Sequence, residues 1–388
     1  QALPETPLPV PPGKSRKSLS SSRIVLLIGL ALLVVVGGVA LLTSPLLKGG
    51  ATTRTYTPPA TRPSATPTPA PPPAYAPMFG YNVEHTRYNP TETTLSSANV
   101  SKLMRKWMSA TVSSIYSSPV VANGIVYINS TDHNLYAYDA MTGKLLWMAS
   151  TTNIDGQSFI FSSPAIANGV LYIGSTDHNV YAFNASGCGK PLCSPMWAVP
   201  TGDSIYSSPA VANGVVYVGS DDHHLYAFSA ASGALLWKTV TGDMIVSSPA
   251  VDNGVVYVGS VDKKLYAFNA KTGAVLWMAP TGYTIYSSPA VVDGVVYVGS
   301  DDGYVYAFNA SGCGQKLCSQ RWRAQVGNYT RSSPAVANGI VYIGSSMNPR
   351  GGMLYAFDIS KCVSVTCAPL WTAPTGDANE SSPAVANG

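Results

Sequence analysis

The chain has 388 residues, of which 46% are hydrophobic and 11% charged, with 35 Gly, 30 Pro and 23 Tyr. This places its folded part in the soluble, turn-rich, β-rich class. The net charge of +4 is confined to the start: residues 1–79 hold seven Lys/Arg against one acid, residues 80–388 sixteen against eighteen. No basic stripe is left to follow a phosphate backbone, which excludes nucleic acid as the expected partner.

Residues 1–23 open on a proline-rich run and end with Lys14, Arg16, Lys17 and Arg23, a cytoplasmic linker in this reading. Residues 24–42 contain no charged or strongly polar side chain. As a helix they would measure about 28 Å, enough to cross a bilayer core. The basic flank predicts a cytoplasmic N-terminus and places everything after the span outside. A cleaved signal peptide is the alternative, although its apolar core is usually only about 7–15 residues. Residues 43–78 carry ten prolines among Thr, Ser and Ala and read as an extended stalk. Gln1 in place of a start Met motivates a second alternative: a receptor Ser/Thr kinase whose kinase lies upstream and whose sensor follows the span.

From residue 79 a repeat takes over. The triplet Ser-Ser-Pro starts at Ser117, Ser162, Ser207, Ser247, Ser287, Ser332 and Ser381, in steps of 45, 45, 40, 40, 45 and 49 residues. A fixed period of this length marks a repeat architecture. Within one unit, Asn213-Gly214 suits a type I′ hairpin turn. Val215–Val218 and Leu225–Phe228 are apolar on both faces and must be covered on both. Four short antiparallel strands sandwiched between like neighbours describe one blade of an all-β propeller of seven or eight blades. Residues 79–107 lead in, with a helical turn expected over Asn99–Arg105 and an orphan outer strand at Lys106-Trp107. The seventh unit stops inside its first turn, so the ring reads as incomplete.

The run from Ala137 through Gly143 to Trp147, repeated at Ala227–Trp237 and Ala267–Trp277, resembles the tryptophan-docking motif of pyrroloquinoline quinone (PQQ) propellers. The resemblance covers 79–388. It implies that Trp107, Trp147, Trp197, Trp237, Trp277, Trp322 and Trp371 pack between blades, each on the Gly of the next motif. Because that repeat serves quinoprotein dehydrogenases and non-enzymatic propellers alike, it implies fold more than function.

Cys188/Cys193, Cys313/Cys318 and Cys362/Cys367 share one spacing, and an even count beyond a membrane anchor predicts three local disulfides. Zinc is the alternative, but pairs on different blades would not converge. Since plain repeats put Thr-Gly or Ser-Gly at the same turn, exchanging one pair for Thr-Gly is expected to be mild. His133, His178 and His223 recur after turn-forming Asp132, Asp177 and Asp222, and read as exposed turn residues more readily than as a metal site.

Quinoprotein dehydrogenases hold PQQ and Ca²⁺ with a Glu, an Asn and acidic partners. Here Glu380 is the only glutamate among the repeats, no adjacent-cysteine disulfide exists, and every Trp is assigned to docking. No catalytic, cofactor-binding or metal residue is therefore expected; PQQ and Ca²⁺ belong only to a dehydrogenase alternative. The leading expectation is a membrane-anchored, extracytoplasmic, non-catalytic module that binds a protein or surface ligand. Its site is expected where first strands approach the axis, at the residues preceding each triplet: Tyr116, Phe161, Tyr206, Val246, Tyr286, Arg331 and Glu380. Aromatics and Arg are enriched in binding hot spots.

Overall fold

The structure, a computed structural model, describes residues 76–151, 158–347, 351–376 and 381–386. The linker, the span at 24–42 and the stalk up to residue 75 lie outside it. Among the described residues no helix is long and apolar enough to cross a membrane.

Six four-stranded antiparallel sheets follow one another, each with its strands in sequence order. We call them blades 1 to 6: residues 120–150, 165–200, 210–240, 250–280, 290–325 and 335–376. Blade 3 shows the logic. Its strands Ala210–Ala212, Val215–Gly219, His224–Ser229 and Leu235–Val240 pair in order. The first turn is left-handed at both Asn213 (φ 50°) and Gly214 (φ 76°), as a type I′ hairpin requires. Val216, Val218, Leu225 and Ala227 are fully buried. They lie in apolar clusters shared with blade 2 on one face and blade 4 on the other. The core is therefore a series of layers between blades.

Each second turn needs one left-handed residue, and His133, His178 and His223 occupy that place at φ 70–71°, as does Lys263 at 72°. The Asp before it is a staple as well as a turn-former. Asp222 accepts from the Tyr226 hydroxyl of its own blade and, at 3.0 Å, from Gly202 N–H in the link from blade 2.

Residues 76–89 form a plug inside the ring of inner strands. Among the described residues, six of the seven inner strands give the N–H of their middle residue to it. Val121 donates to Ala76 O, Ile166 to Pro77 O, Val251 to Val83 O, Val291 to Glu84 O, Val336 to Thr86 O and Val385 to Arg87 O, at 2.6–3.0 Å. The remaining one, Val211, shares a buried cluster with Met78. Tyr88–Asn89 pairs in parallel with Val385–Ala386, the one described strand of the seventh unit. To follow the ring, Tyr81, His85 and Arg87 adopt left-handed φ of 76°, 57° and 53°. Each such residue costs on the order of 1 kcal/mol, offset because the inner-strand donors would otherwise be buried unpaired. Composition assigned Ala76–Met78 to the stalk, yet they are packed in the channel.

The helical turn of the lead-in is a single 3₁₀ turn, Val100–Lys102. No strand forms at Lys106-Trp107. Trp107 docks nonetheless, its Nε1–H donating to Ala140 O at 2.9 Å.

Candidate binding site at the mouth of the axial channel

The two serines of each triplet have different tasks. The first ties its own blade together: Gly219 N–H donates to Ser207 Oγ, and Gly259 N–H to Ser247 Oγ. The second links blades. Ser118 N–H donates to Ser163 Oγ, Ser163 N–H to Ser208 Oγ, and so on through Ser248, Ser288, Ser333 and Ser382, at 2.8–3.0 Å. This circle of hydrogen bonds runs around the axis and fixes the residue preceding each triplet at its edge.

Those preceding residues converge. Tyr116, Phe161, Tyr206, Val246, Tyr286 and Arg331 line one funnel of about 450 Å³. Ring centroids lie 5.4 Å apart for Tyr116 and Phe161 and 5.2 Å for Phe161 and Tyr206. The Arg331 guanidinium covers the Tyr286 ring at 4.7 Å, and its Nε reaches Asp301 Oδ2 at 3.3 Å. Glu380 falls outside the described residues.

The floor was not foreseen. It is the plug, through Phe79 and Arg87. Arg87 is 9% exposed, stands 4.2 Å over the Phe79 ring, and its Nε and Nη2 are buried without a hydrogen-bond partner. Burial pushes its pKa down to about 9. Beside it His85 is buried with Nδ1 3.1 Å from Pro289 O; burial, then the Arg87 charge, push its pKa down to about 3, so it is neutral. A signal for this floor was present in the sequence, since a lone Arg sits between aromatics in a segment without strand pattern. Nothing local, however, says that such a segment turns inward. A larger cavity of about 690 Å³ adjoins the funnel and shares Phe79, Arg87, Ser118 and Pro119 with it, but one wall is Ala384–Ala386, at the end of the described residues.

Among the described residues no carboxylate lines the funnel, and no group of three His, Cys, Asp or Glu comes together anywhere. The histidines lie apart: His178 is 3.6 Å from Asp203, and His223 is 3.6 Å from Asp243. The six cysteines form the three expected disulfides within their own loops, with Cα–Cα distances of 5.7, 5.7 and 4.9 Å. The tryptophans pair across their own blades with Ala137, Ala182, Ala227, Ala267, Ala307 and Ala356. Trp107, Trp147, Trp197, Trp237 and Trp277 also close on Gly143, Gly187, Gly233, Gly273 and Gly312 of the next motif, where a Cβ would clash. Trp322 and Trp371 lack that glycine contact among the described residues.

The fold is found in proteins of different function. BamB from Moraxella catarrhalis superimposes with a TM-score of 0.56 at 16% identity, over 71% of this chain and 81% of its own. A quinohemoprotein alcohol dehydrogenase from Comamonas testosteroni gives 0.58 at 15% identity, over 81% and 75%. A europium-containing methanol dehydrogenase gives 0.61 at 12%, over 80% and 87%. No curated protein sequence matches. The family described as outer membrane protein assembly factor BamB matches in four overlapping stretches, residues 93–192, 161–246, 194–312 and 242–388, and the chain belongs to this family of PQQ-repeat β-propellers.

Proposed function

We propose that this chain is a non-catalytic binding module that captures a protein at the channel mouth, held outside the cytoplasm by a span at 24–42 and a stalk. The observation that carries the reading is the funnel itself, where five aromatics and two arginines meet and, among the described residues, no carboxylate or imidazole lines the wall to act as a general base. Membership of a family described by an assembly factor supports a scaffold role. Replacing Tyr206 and Tyr286 together by Ala should abolish photo-crosslinking of a partner from a probe at Tyr116, with the melting temperature nearly unchanged. A parallel fall in melting temperature would show that these rings only pack. For topology, a reporter fused to the chain should be active only outside the cytoplasm and stay with membranes after alkaline wash. Release of a soluble form beginning near residue 43 would identify a cleaved signal.

The quinoprotein neighbours support a second reading, a PQQ-dependent dehydrogenase. Under it, PQQ with Ca²⁺ would give bound-cofactor absorbance and dye reduction. On the proposed reading neither appears.

A further inference from the structure

We infer that the floor of the funnel is a carboxylate site and takes the C-terminal end of a partner's peptide chain. This rests on the reading of the mouth as a protein-binding site and names the chemistry recognised there.

The floor and the circle above it are made of donors. Arg87 carries a full charge inside the ring, yet its Nε and Nη2 have no acceptor and no carboxylate lines the cavity among the described residues. The Phe79 ring covers one face of the guanidinium at 4.2 Å and leaves its edge groups without partners. Around it stand Ser163, Ser208, Ser248, Ser288, Ser333 and Ser382, all lining the funnel. Each Oγ accepts a backbone N–H. No hydrogen bond donated by these hydroxyls is found among the described residues, so their protons are free to turn toward the cavity. A buried cation ringed by hydroxyl donors calls for a group that only accepts, with two oxygens in one plane, and a carboxylate is that group.

Shape selects a chain end. Phe79 and Arg87 of the plug form the floor, so a ligand that enters by the mouth meets Arg87 at the bottom. An internal Asp or Glu would bring two flanking lengths of chain into about 450 Å³, already narrowed by Tyr116, Phe161, Tyr206 and Tyr286. A C-terminus brings one length, and its last side chain meets the aromatic wall. Arg331 at the rim has Asp301 beside it, which leaves Arg87 as the charge at the bottom.

The test is titration calorimetry on the propeller with four probes: Ala-Ala-Ala-Phe, its C-terminal amide, acetyl-Ala-Glu-Ala-amide and N-acetylphenylalanine. The free tetrapeptide should bind on the order of 30-fold tighter than its amide, the range expected for hydrogen bonds to a charged group. Arg87→Gln should bring that ratio close to one, and Arg87→Lys should keep part of it. Arg331→Gln should weaken acid and amide alike. Should Arg87→Gln fail to fold, the acid-to-amide ratio of the native chain, with acetate but not acetamide competing, still decides. Equal binding of acid and amide, or no binding of either at millimolar concentration, overturns the carboxylate site. Equal binding by the internal-Glu peptide, or by N-acetylphenylalanine, overturns the chain-end assignment. Partner crosslinking at the mouth that persists when acid and amide are equal would leave the protein-binding reading standing and sink only this inference.

Discussion

Blade junctions in this molecule come in two kinds. Between blades 1 and 2, 4 and 5, and 5 and 6, the third turn of the later blade is a disulfide loop that reaches back to the outer strand of the earlier one. Met148 N–H donates to Pro191 O and Met148 O accepts from Cys193; Met278 does the same with Lys316 and Cys318, and Arg323 with Val365 and Cys367. Between blades 2 and 3, and 3 and 4, the turn is Ser232-Gly233 or Thr272-Gly273, and no such bridge is found among the described residues. The outcome shows on the tryptophans. Trp147, Trp277 and Trp322 are 3% exposed, whereas Trp197 and Trp237 are only half-buried. Docking of Trp on Gly is common to both kinds; the loop adds a cover over an outer edge that would otherwise present unpaired groups.

The largest test of this difference is truncation of the ring at one junction of each kind. Trp277→Ala should lose about 3–5 kcal/mol, the range for a buried aromatic. Trp237→Ala should lose clearly less, because water already reaches its ring. Both are read from denaturant midpoints at fixed slope. Equal losses would mean that the disulfide loop contributes no cover.

How far the sequence discloses these features depends on whether a signal is local. The blades are legible because Asn-Gly turns, two-sided apolar strands and the Ala…Gly…Trp spacing each act within about a dozen residues. The cysteine pairs are legible as pairs for the same reason. Their contact with Met148, Met278 and Arg323 is not, since it joins positions about 40 residues apart without a residue pattern. The funnel wall could be found because seven equal places in a ring must converge, while its floor could not. Residues 76–89 are held by backbone carbonyls, and carbonyls leave no trace in residue identity. Strand propensity likewise failed at Lys106-Trp107: Trp107 docks there without a strand to carry it.

Removing one disulfide is the next test. The chain-entropy estimate for Cys313→Ser with Cys318→Ser is about 2 kcal/mol. Exchanging the pair for Thr-Gly looks mild when only the turn is considered, but it also removes the acceptor and donor that flank Met278. Amide exchange at Met278 should therefore accelerate in the Thr-Gly variant toward the rate at Lys238 in the plain junction. An unchanged rate would mean that the strand edge is protected by something other than the loop.

A smaller effect separates docking from backbone strain. Gly254 and Gly273 share φ of 76° and 71°, but a Cβ at Gly254 meets nothing within 4 Å, while one at Gly273 meets the Trp237 ring at 2.7 Å. Gly254→Ala should cost about 1 kcal/mol for conformation alone, and the excess at Gly273→Ala measures the docking contact in a plain junction. No excess would show that Trp237 moves aside freely.

The smallest effect is one of pH, and it sits in the plain junction between blades 2 and 3. Asp221, which gives its N–H to Ser204 O across that junction, has Oδ1 buried without a partner. Burial, then the charges of Asp203 and Asp222, push its pKa up to about 6. Raised above its unfolded value, its contribution is full below about pH 4 and is lost as pH rises through about 6. Asp222 behaves oppositely. Burial works to raise its carboxyl, but hydrogen bonds from Tyr226, His224 N–H and Ser220 more than compensate and hold it below the usual range. Its contribution is full above the unfolded value and is lost as pH falls below it. The two together give this junction a stability maximum near pH 4–5. Asp221→Asn should abolish the rise between pH 7 and 5, and Asp222→Asn the fall below pH 4, read as amide exchange of the Leu235–Val240 strand. Between blades 4 and 5, Asp301 holds the place of Asp221 but has Arg331 at 3.3 Å, so the Trp322–Gln325 strand, the outer strand of its own blade, should show a weaker rise. An equal rise at both junctions would mean that the effect belongs to the repeat and not to the missing partner.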